Sequence, residues 1–358
     1  MAIPSIASIF SGYKANKVYS VLPTDGTGDL DFTRASSATR IAKSGLIETL
    51  ATGVPRLDYT GGGCPSLLLE PQSTNLAINS ISYASWTQQD LTLTLNTVIA
   101  PDGQLTGSTI LATGSNCQLQ YAHSGTTGLV YTTSFYLKRK TGTGQINLRS
   151  VENTNTPITI TNEWEKYSVT TTSTSTSIRI GVDFETIGDE IYIWNGQLEE
   201  QPYATSPIIT GAAIATRLAD KAFKTGLSSY INSVEGSFEI NCKLLGNQTD
   251  SVRFSLSDGT TGNRISLAFT STNITVFSIL NSSGNANNID HNYSFTDFTD
   301  FKVTWTSTLI SLFISNVEVA TSAITTPFTS NLFNRIGLDT GNDSANFLGR
   351  VREIKIYK

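Results

Sequence analysis

From about Leu76 onward the chain alternates apolar and polar residues with a period of two, which marks strands with one buried face. Thr133–Leu137 (TSFYL) alternates and runs into a turn at Lys138–Gly144, after which Ile146 and Leu148 resume the apolar side. Ile178, Ile180, Val182 and Phe184 share one face, whereas Ile191–Trp194 (IYIW) is apolar on both, as a central strand is. The tract Thr170–Ser177 sits between two such patterns and reads as a strand with a hydroxyl-rich outer face rather than as a linker. A linker-like stretch follows from Glu199 to Gly211, and Ile214–Phe223 is read as one short helix. Alternation then returns in Phe238, Ile240, Cys242 and Leu244, in Ile265, Leu267 and Phe269, and in Phe301, Val303 and Trp305. Leu312–Val319 predicts a hairpin about Ser315-Asn316, and Asn285–Asp290 reads as a flexible loop. The last strand pattern, Val351–Tyr357, breaks step between Val351 and Ile354, which predicts a bulge that re-aims one residue.

Short strands with turn signals every roughly eight to twelve residues predict an all-β protein. The expected architecture is two β-sandwich (jelly-roll) domains in tandem, residues 76–207 and 208–358, preceded by an irregular segment, residues 1–75. That segment is cut by turns such as Pro23-Thr24-Asp25-Gly26 and Gly61-Gly62-Gly63. Two readings of it stand: a peripheral β-layer of the next domain, or an attachment and oligomerisation arm that buries Ile3, Ile6, Ile9 and Phe10 against neighbouring subunits. The two sandwich regions show no internal repeat.

Charge and rare residues narrow the chemistry. Only 15% of residues are charged, and 24 basic against 29 acidic side chains give a net charge of −5, so no cationic surface is offered to nucleic acid. No apolar run approaches the roughly 18 residues of a membrane span. His123 and His291 are the two histidines, too few for a multi-histidine metal site. Cys64, Cys117 and Cys242 are odd in number and far apart, which is no disulfide framework and no metal pair. Residues 1–10 lack a basic start and a secretory signal pattern, so the chain is expected to be made in a cytoplasm and, if it works outside a cell, to be delivered by something other than the Sec pathway.

No catalytic constellation emerges. A glycoside hydrolase needs two carboxylates about 5–9.5 Å apart. The nearest acidic cluster, Asp183, Glu185, Asp189 and Glu190, reads as a solvated strand end, and Cys64 as a small buried residue. Neither a catalytic residue nor a metal ligand set is assigned. Sugar binding remains, because glycan sites combine an aromatic platform with polar loop side chains. Trp164, Trp194 and Trp305 fall in strand patterns and are assigned to cores. Trp86, Tyr121 and His123 in the first sandwich, and His291, Tyr293, Asp339 and Asn342 in the second, are the glycan-binding candidates. The loop Asp339–Asp343 (DTGND) offers oxygen ligands for Ca²⁺ but lacks the spacing of a calcium loop, and an ordinary turn is the expected state.

The blocks Phe32–Arg40 (FTRASSATR), Gly45–Glu48 (GLIE), Pro55–Tyr59 (PRLDY) and Gly63–Leu76 (GCPSLLLEPQSTNL) resemble a block of bacteriophage tail, fibre and appendage proteins. There it precedes a jelly roll similar to carbohydrate-binding modules. Ile191–Glu200 (IYIWNGQLEE), Tyr203–Ser206 (YATS) and Thr216–Asp220 (TRLAD) look like that module's end. The pieces Gly236–Ile240, Leu309–Val319 and Arg335–Tyr357 resemble a concanavalin-like, laminin-G-type sandwich. The resemblance implies a virion structural protein, assembled in the host cytoplasm, that projects lectin-like sandwiches onto host-surface glycans. It further implies contacts to other virion proteins through the N-terminal segment and a homotrimer. A capsid decoration or head-fibre role without a receptor, and a polysaccharide-degrading enzyme, are the alternatives.

Overall fold

The computed structural model describes residues 3–151, 154–245, 252–269, 273–280 and 285–358, and all of its regular structure among these is strand. The chain divides into two compact units: a first unit of residues 1–45, 50–71 and 218–358, and a second of 46–49 and 72–217. The division differs from the expected succession 1–75, 76–207 and 208–358. The chain's opening segment belongs with its C-terminal sandwich, not with the module that follows it and not with a separate arm.

In the first unit one sheet runs Val317–Ala323, Leu309–Ile314, Thr299–Trp305, Gly236–Leu244, Gly349–Tyr357, Ser66–Leu69 and Leu57–Asp58. The terminal strand takes two N-terminal neighbours along one side: Ser66–Leu69 pairs at Gly349–Val351, and Ile6–Ile9 pairs at Glu353–Ile356. The facing sheet of nine strands includes Leu30–Thr33, Lys221–Lys224, Arg335–Gly337, Val252–Ser257, Arg264–Phe269, Asn273–Leu280 and Asn285–Asn292. Between them lies a core into which Ile6, Phe10, Val18, Leu30 and Phe32 pack alongside Phe238, Phe254, Phe269, Phe301 and Trp305. Phe238 meets Phe254 edge-on at 4.9 Å, and Phe269 meets Phe301 at 5.1 Å, geometries that aromatic quadrupoles favour.

Several local expectations are met. Ser315 and Asn316 both adopt positive φ (49° and 67°) between paired Ile314 and Val317, a two-residue hairpin turn. The terminal strand shifts register between Glu353 and Val351, leaving Arg352 as the extra, bulged residue. Two expectations fail. Asn285–Asp290 is strand, paired to Asn273–Leu280. Ile214–Phe223 contains no helix; it forms the strands Ala215–Arg217 and Lys221–Lys224.

The reason is a buried network centred on Asp220, which lies just before the strand Lys221–Lys224. Arg34 donates to Asp220 at 3.1 Å, Arg56 donates to Asp220 and to Glu70, and the Glu70 amide donates to Asp220 at 2.9 Å. Arg34 spends its remaining donors on the carbonyls of Ser36, Ala51 and Val54. All four side chains are buried. Burial alone would lower the proton affinity of Arg56, but Asp220 and Glu70 raise it above the ordinary arginine value, so the charge stays on. Weak helix propensity cannot compete with satisfying two buried guanidiniums.

The second unit is a sandwich of two five-stranded sheets. One runs Leu91–Val98, Gly107–Ala112, Glu190–Glu199, Val130–Thr141, Glu165–Thr172; the other Thr87–Gln89, Gln118–Ser124, Ser177–Phe184, Ile146–Ser150, Thr154–Ile158. The strand containing Ile191–Trp194 is central, flanked on both sides. The Ser/Thr tract is part strand and part turn: Thr170–Thr172 end one strand, where Thr170 and Thr132 hydroxyls meet at 2.8 Å, and residues 173–176 turn into the next. Buried Glu199 gathers the Ser73 hydroxyl, the Thr205 amide and hydroxyl, and the Gln201 amide, while Arg217 donates to Thr205. The module-end motifs thus serve as internal hydrogen-bonding anchors.

Candidate functional site

In the second sheet of this unit the inner face carries Leu119, Ile178, Ile180, Val182, Ile146 and Leu148, all fully buried. Strand alternation therefore turns their polar neighbours to the opposite face. Register aligns them in two rows across five strands. Gln89, Gln118, Asp183, Asn147 and Pro157 form one; Thr87, Gln120, Gly181, Arg149 and Asn155 form the next.

The first row is polar yet shielded: Gln118, Asp183 and Asn147 are 7–8% exposed. Gln118 donates to Gln89 at 2.8 Å, Asn147 donates to Glu185 at 3.0 Å, and Arg149 clamps both oxygens of Asp183 at 3.3 and 2.6 Å. Such a fork fixes the guanidinium plane and the carboxylate together. Asp183 is therefore no solvated strand end. In the second row Gly181 sits where a Cβ would fall 2.0 Å from the Leu119 carbonyl oxygen, so no side chain fits. Register places Gly181 between Gln120 and Arg149 in that row. The Gln120 Oε1 atom is buried there without a hydrogen-bond partner. An acceptor without a donor thus shares a row with the Arg149 that clamps Asp183, a set of groups of the kind that hydroxyls hydrogen-bond.

The residues singled out from sequence lie elsewhere in this unit. Trp86 is buried, not exposed as expected: it packs edge-on to Tyr83 and Phe135, and its indole N–H donates to the Ile78 carbonyl at 2.9 Å. Tyr121 is half-buried and lies against Trp86 at 5.4 Å. His123 follows on the same, core-directed face; burial lowers its proton affinity and nearby Glu200 works against that. Glu200 accepts the Tyr131 hydroxyl at 3.1 Å and lines a cleft of about 250 Å³ with Gln72, Ser73, Thr74, Leu76 and Gln201. Of the three sequence candidates, Trp86 and Tyr121 are in contact, and His123 follows two residues on along the same strand face. Burial, reinforced by Asp183 and Asp90, pushes the Cys117 thiol up to about 12, far from a reactive thiolate.

In the first unit His291, Tyr293 and Phe295 stack in register at 6.4 and 6.2 Å, with Tyr293 and Phe295 against the core. Asp339 is buried and holds Arg335 through both oxygens at 2.8 and 2.6 Å, and its Oδ1 also accepts the Gly341 amide. No group of three or more His, Cys, Asp or Glu suited to a metal occurs among the described residues. The loop bends around the Arg335–Asp339 pair. Asn342 is exposed and accepts the Ser344 hydroxyl. The strands bearing His291 and Asp339's neighbour Gly337 are four strand positions apart, about 19 Å, so the four candidates do not make one site. Of the N-terminal quartet, Ile6 and Phe10 are in the core, while Ile3 and Ile9 are exposed. Trp194 and Trp305 are buried as assigned; Trp164 is half-buried. Cys64 is exposed rather than buried.

No family model matches the chain, and no curated protein matches it. Among solved structures it is similar to the CBM40 of the Ruminococcus gnavus IT-sialidase bound to α2,6 sialyllactose, with 16% identity over 37% of this chain and 84% of that one, TM-score 0.32. It is also similar to the Bacillus licheniformis β-glucanase (17% identity, 40% and 72% covered, TM-score 0.29). A third is the catalytic domain of a Thermotoga petrophila endo-1,3-β-glucanase (12% identity, 42% and 73%, TM-score 0.29). Among the described residues no helix is long and apolar enough to cross a membrane.

Proposed function

We propose that this chain is a non-enzymatic adhesion protein of a bacteriophage particle, and that the two polar rows of the second unit hold a neutral host-surface glycan. The observation that carries the glycan reading is the polar row through Gly181, with the unpartnered Gln120 Oε1 on one side and Arg149, paired to Asp183, on the other. Amide and guanidinium groups preset in a plane offer the alternating donors and acceptors that vicinal hydroxyls require, at little ordering cost. The virion reading rests on the resemblance of the N-terminal and module-end blocks. Their residues Arg34, Arg56, Glu70 and Asp220 form one buried network, which gives those blocks a shared structural task.

The acidic cluster is engaged structurally: Asp183 is clamped by Arg149, and Glu185 accepts from Asn147. An array of neutral and acidic oligosaccharides tests the reading. The wild-type chain is expected to select neutral glycans, and the Gln120→Ala/Asn155→Ala variant to bind about tenfold more weakly, the sum of two neutral hydrogen bonds. Binding of nothing favours a decoration role without a receptor. Release of reducing sugar, abolished by Asp183→Asn, favours the enzyme.

With Ile6 and Phe10 committed to the core, attachment to other virion proteins falls to the surface carrying Ile3 and Ile9. We read the assembled form as a homotrimer, which also covers exposed sheet edges. Light scattering is expected to give three chain masses; a stable single mass at micromolar concentration contradicts this.

A further inference from the structure

The bulge at Arg352 opens onto a feature that the second unit's site does not use. On the outer face of the first unit's eight-stranded sheet two depressions of about 280 and 240 Å³ share Asn241, Asp300 and Glu353, making one continuous groove. Register explains its centre: Asn241 lies opposite Asp300 on one neighbouring strand and opposite Glu353 on the other. Because Arg352 is the extra residue, it and Glu353 stand on the same side of the sheet, and the Arg352 guanidinium lies 3.6 Å from the centroid of the Phe298 ring. Ile9, 45% exposed and paired to Glu353, adds an apolar wall with Pro65.

The rungs of this face are not equivalent. One is an ordinary ladder, with Glu239 held by Lys302 at 3.5 Å and by the Tyr357 hydroxyl. In the next the middle position is an amide flanked by two carboxylates. Asn241 gives its Nδ2 to Asp300 at 2.7 Å, and its buried Oδ1 has no partner. Asp300 is exposed and makes no ion pair among the described residues. The groove is therefore rich in acceptors at its centre. Its three acids, Glu239, Asp300 and Glu353, are matched by Lys302, Lys355 and Arg352, so a cation has no net advantage there. A ligand that fits brings several hydroxyl donors, no charge, and an apolar face to lie against Ile9, Pro65 and the Arg352–Phe298 stack.

We propose that this groove is a second, independent binding site for a neutral hexopyranose-containing glycan. It shares only a ligand class with the site on the second unit. The test uses the full chain on the same array, comparing wild type, Asn241→Ala/Asp300→Ala and Gln120→Ala/Asn155→Ala. The groove variant is expected to lose at least tenfold in signal on a subset of neutral glycans that the Gln120→Ala/Asn155→Ala variant retains. Asp300→Asn, which keeps side-chain shape, is expected to show the same subset weakened and guards against a folding defect in the double variant. Loss confined to Gln120→Ala/Asn155→Ala overturns the groove and leaves the first site standing. Loss confined to the groove variants supports the groove and removes the first site. A wild-type chain that binds no glycan, or only acidic ones, overturns both.

Discussion

Removal of residues 1–33 is expected to abolish cooperative unfolding of the first unit while the second unit keeps its own transition. The segment supplies Ile6, Phe10, Val18, Leu30 and Phe32 to the core, each at most 1% exposed. Loss of a single buried Phe or Ile side chain typically costs about 2–5 kcal/mol, and a whole domain holds only about 5–15 kcal/mol in reserve. Five such losses, about 10–25 kcal/mol together, match or exceed that reserve. The deletion also strips Ile6–Ile9 from the terminal strand and Leu30–Thr33 from Lys221–Phe223, opening an edge in each sheet. Calorimetry of the full chain against the truncated one checks this: two transitions should become one. A truncated chain that still shows both would mean that the segment is an appended arm after all, free to serve attachment alone.

How far the sequence foretold this arrangement depends on the range of the interactions involved. Period-two alternation placed Gly236–Leu244, Ser177–Phe184 and the central strand through Ile191–Trp194, because alternation is local and each strand carries its own record of which face is buried. The Ser315-Asn316 turn and the Arg352 bulge were legible for the same reason. What could not be read was which strands pair across long separations. Ile6 pairs with Ile356, and Asp220 meets Arg34 and Arg56; neither leaves a local trace. The apolar spacing of Ile3, Ile6, Ile9 and Phe10 was real, but for Ile6 and Phe10 it recorded burial in the chain's own core. Trp86 misled through its irregular flanks: a loop residue whose indole N–H finds a carbonyl is as buried as one in a strand. The polar rows of the second unit were present as the outward members of alternating segments, Asn147 and Arg149 in one and Arg179, Gly181 and Asp183 in another. Only register, a non-local property, lines them up.

The same non-local logic makes Asp220 the most sensitive single side chain. Its carboxylate receives Arg34, Arg56 and the Glu70 amide, and its own amide returns a hydrogen bond to the Glu70 carbonyl at 3.0 Å. Asp220→Ala takes from the buried guanidiniums of Arg34 and Arg56 the carboxylate they share, while Glu70 still pairs Arg56. Breaking a buried pair in this way costs about 3–5 kcal/mol, because the surviving charge stays out of water without compensation. Asp220→Asn keeps the shape and an acceptor oxygen but not the charge, so it should fall between Ala and wild type. Trp305, the first unit's one tryptophan and 1% exposed, reports the outcome in urea once the signal of a Trp305→Phe background is subtracted. The midpoint for the first unit should drop at unchanged slope, which separates lost stability from a changed unfolded state. Replacing Arg34, Arg56, Glu70 and Asp220 together by apolar residues of similar volume should cost less than Asp220→Ala alone, since the charges then leave along with their partner. A loss below about 1 kcal/mol for Asp220→Ala would mean that water reaches the arginines, and the network would no longer explain why Ile214–Phe223 runs extended instead of helical.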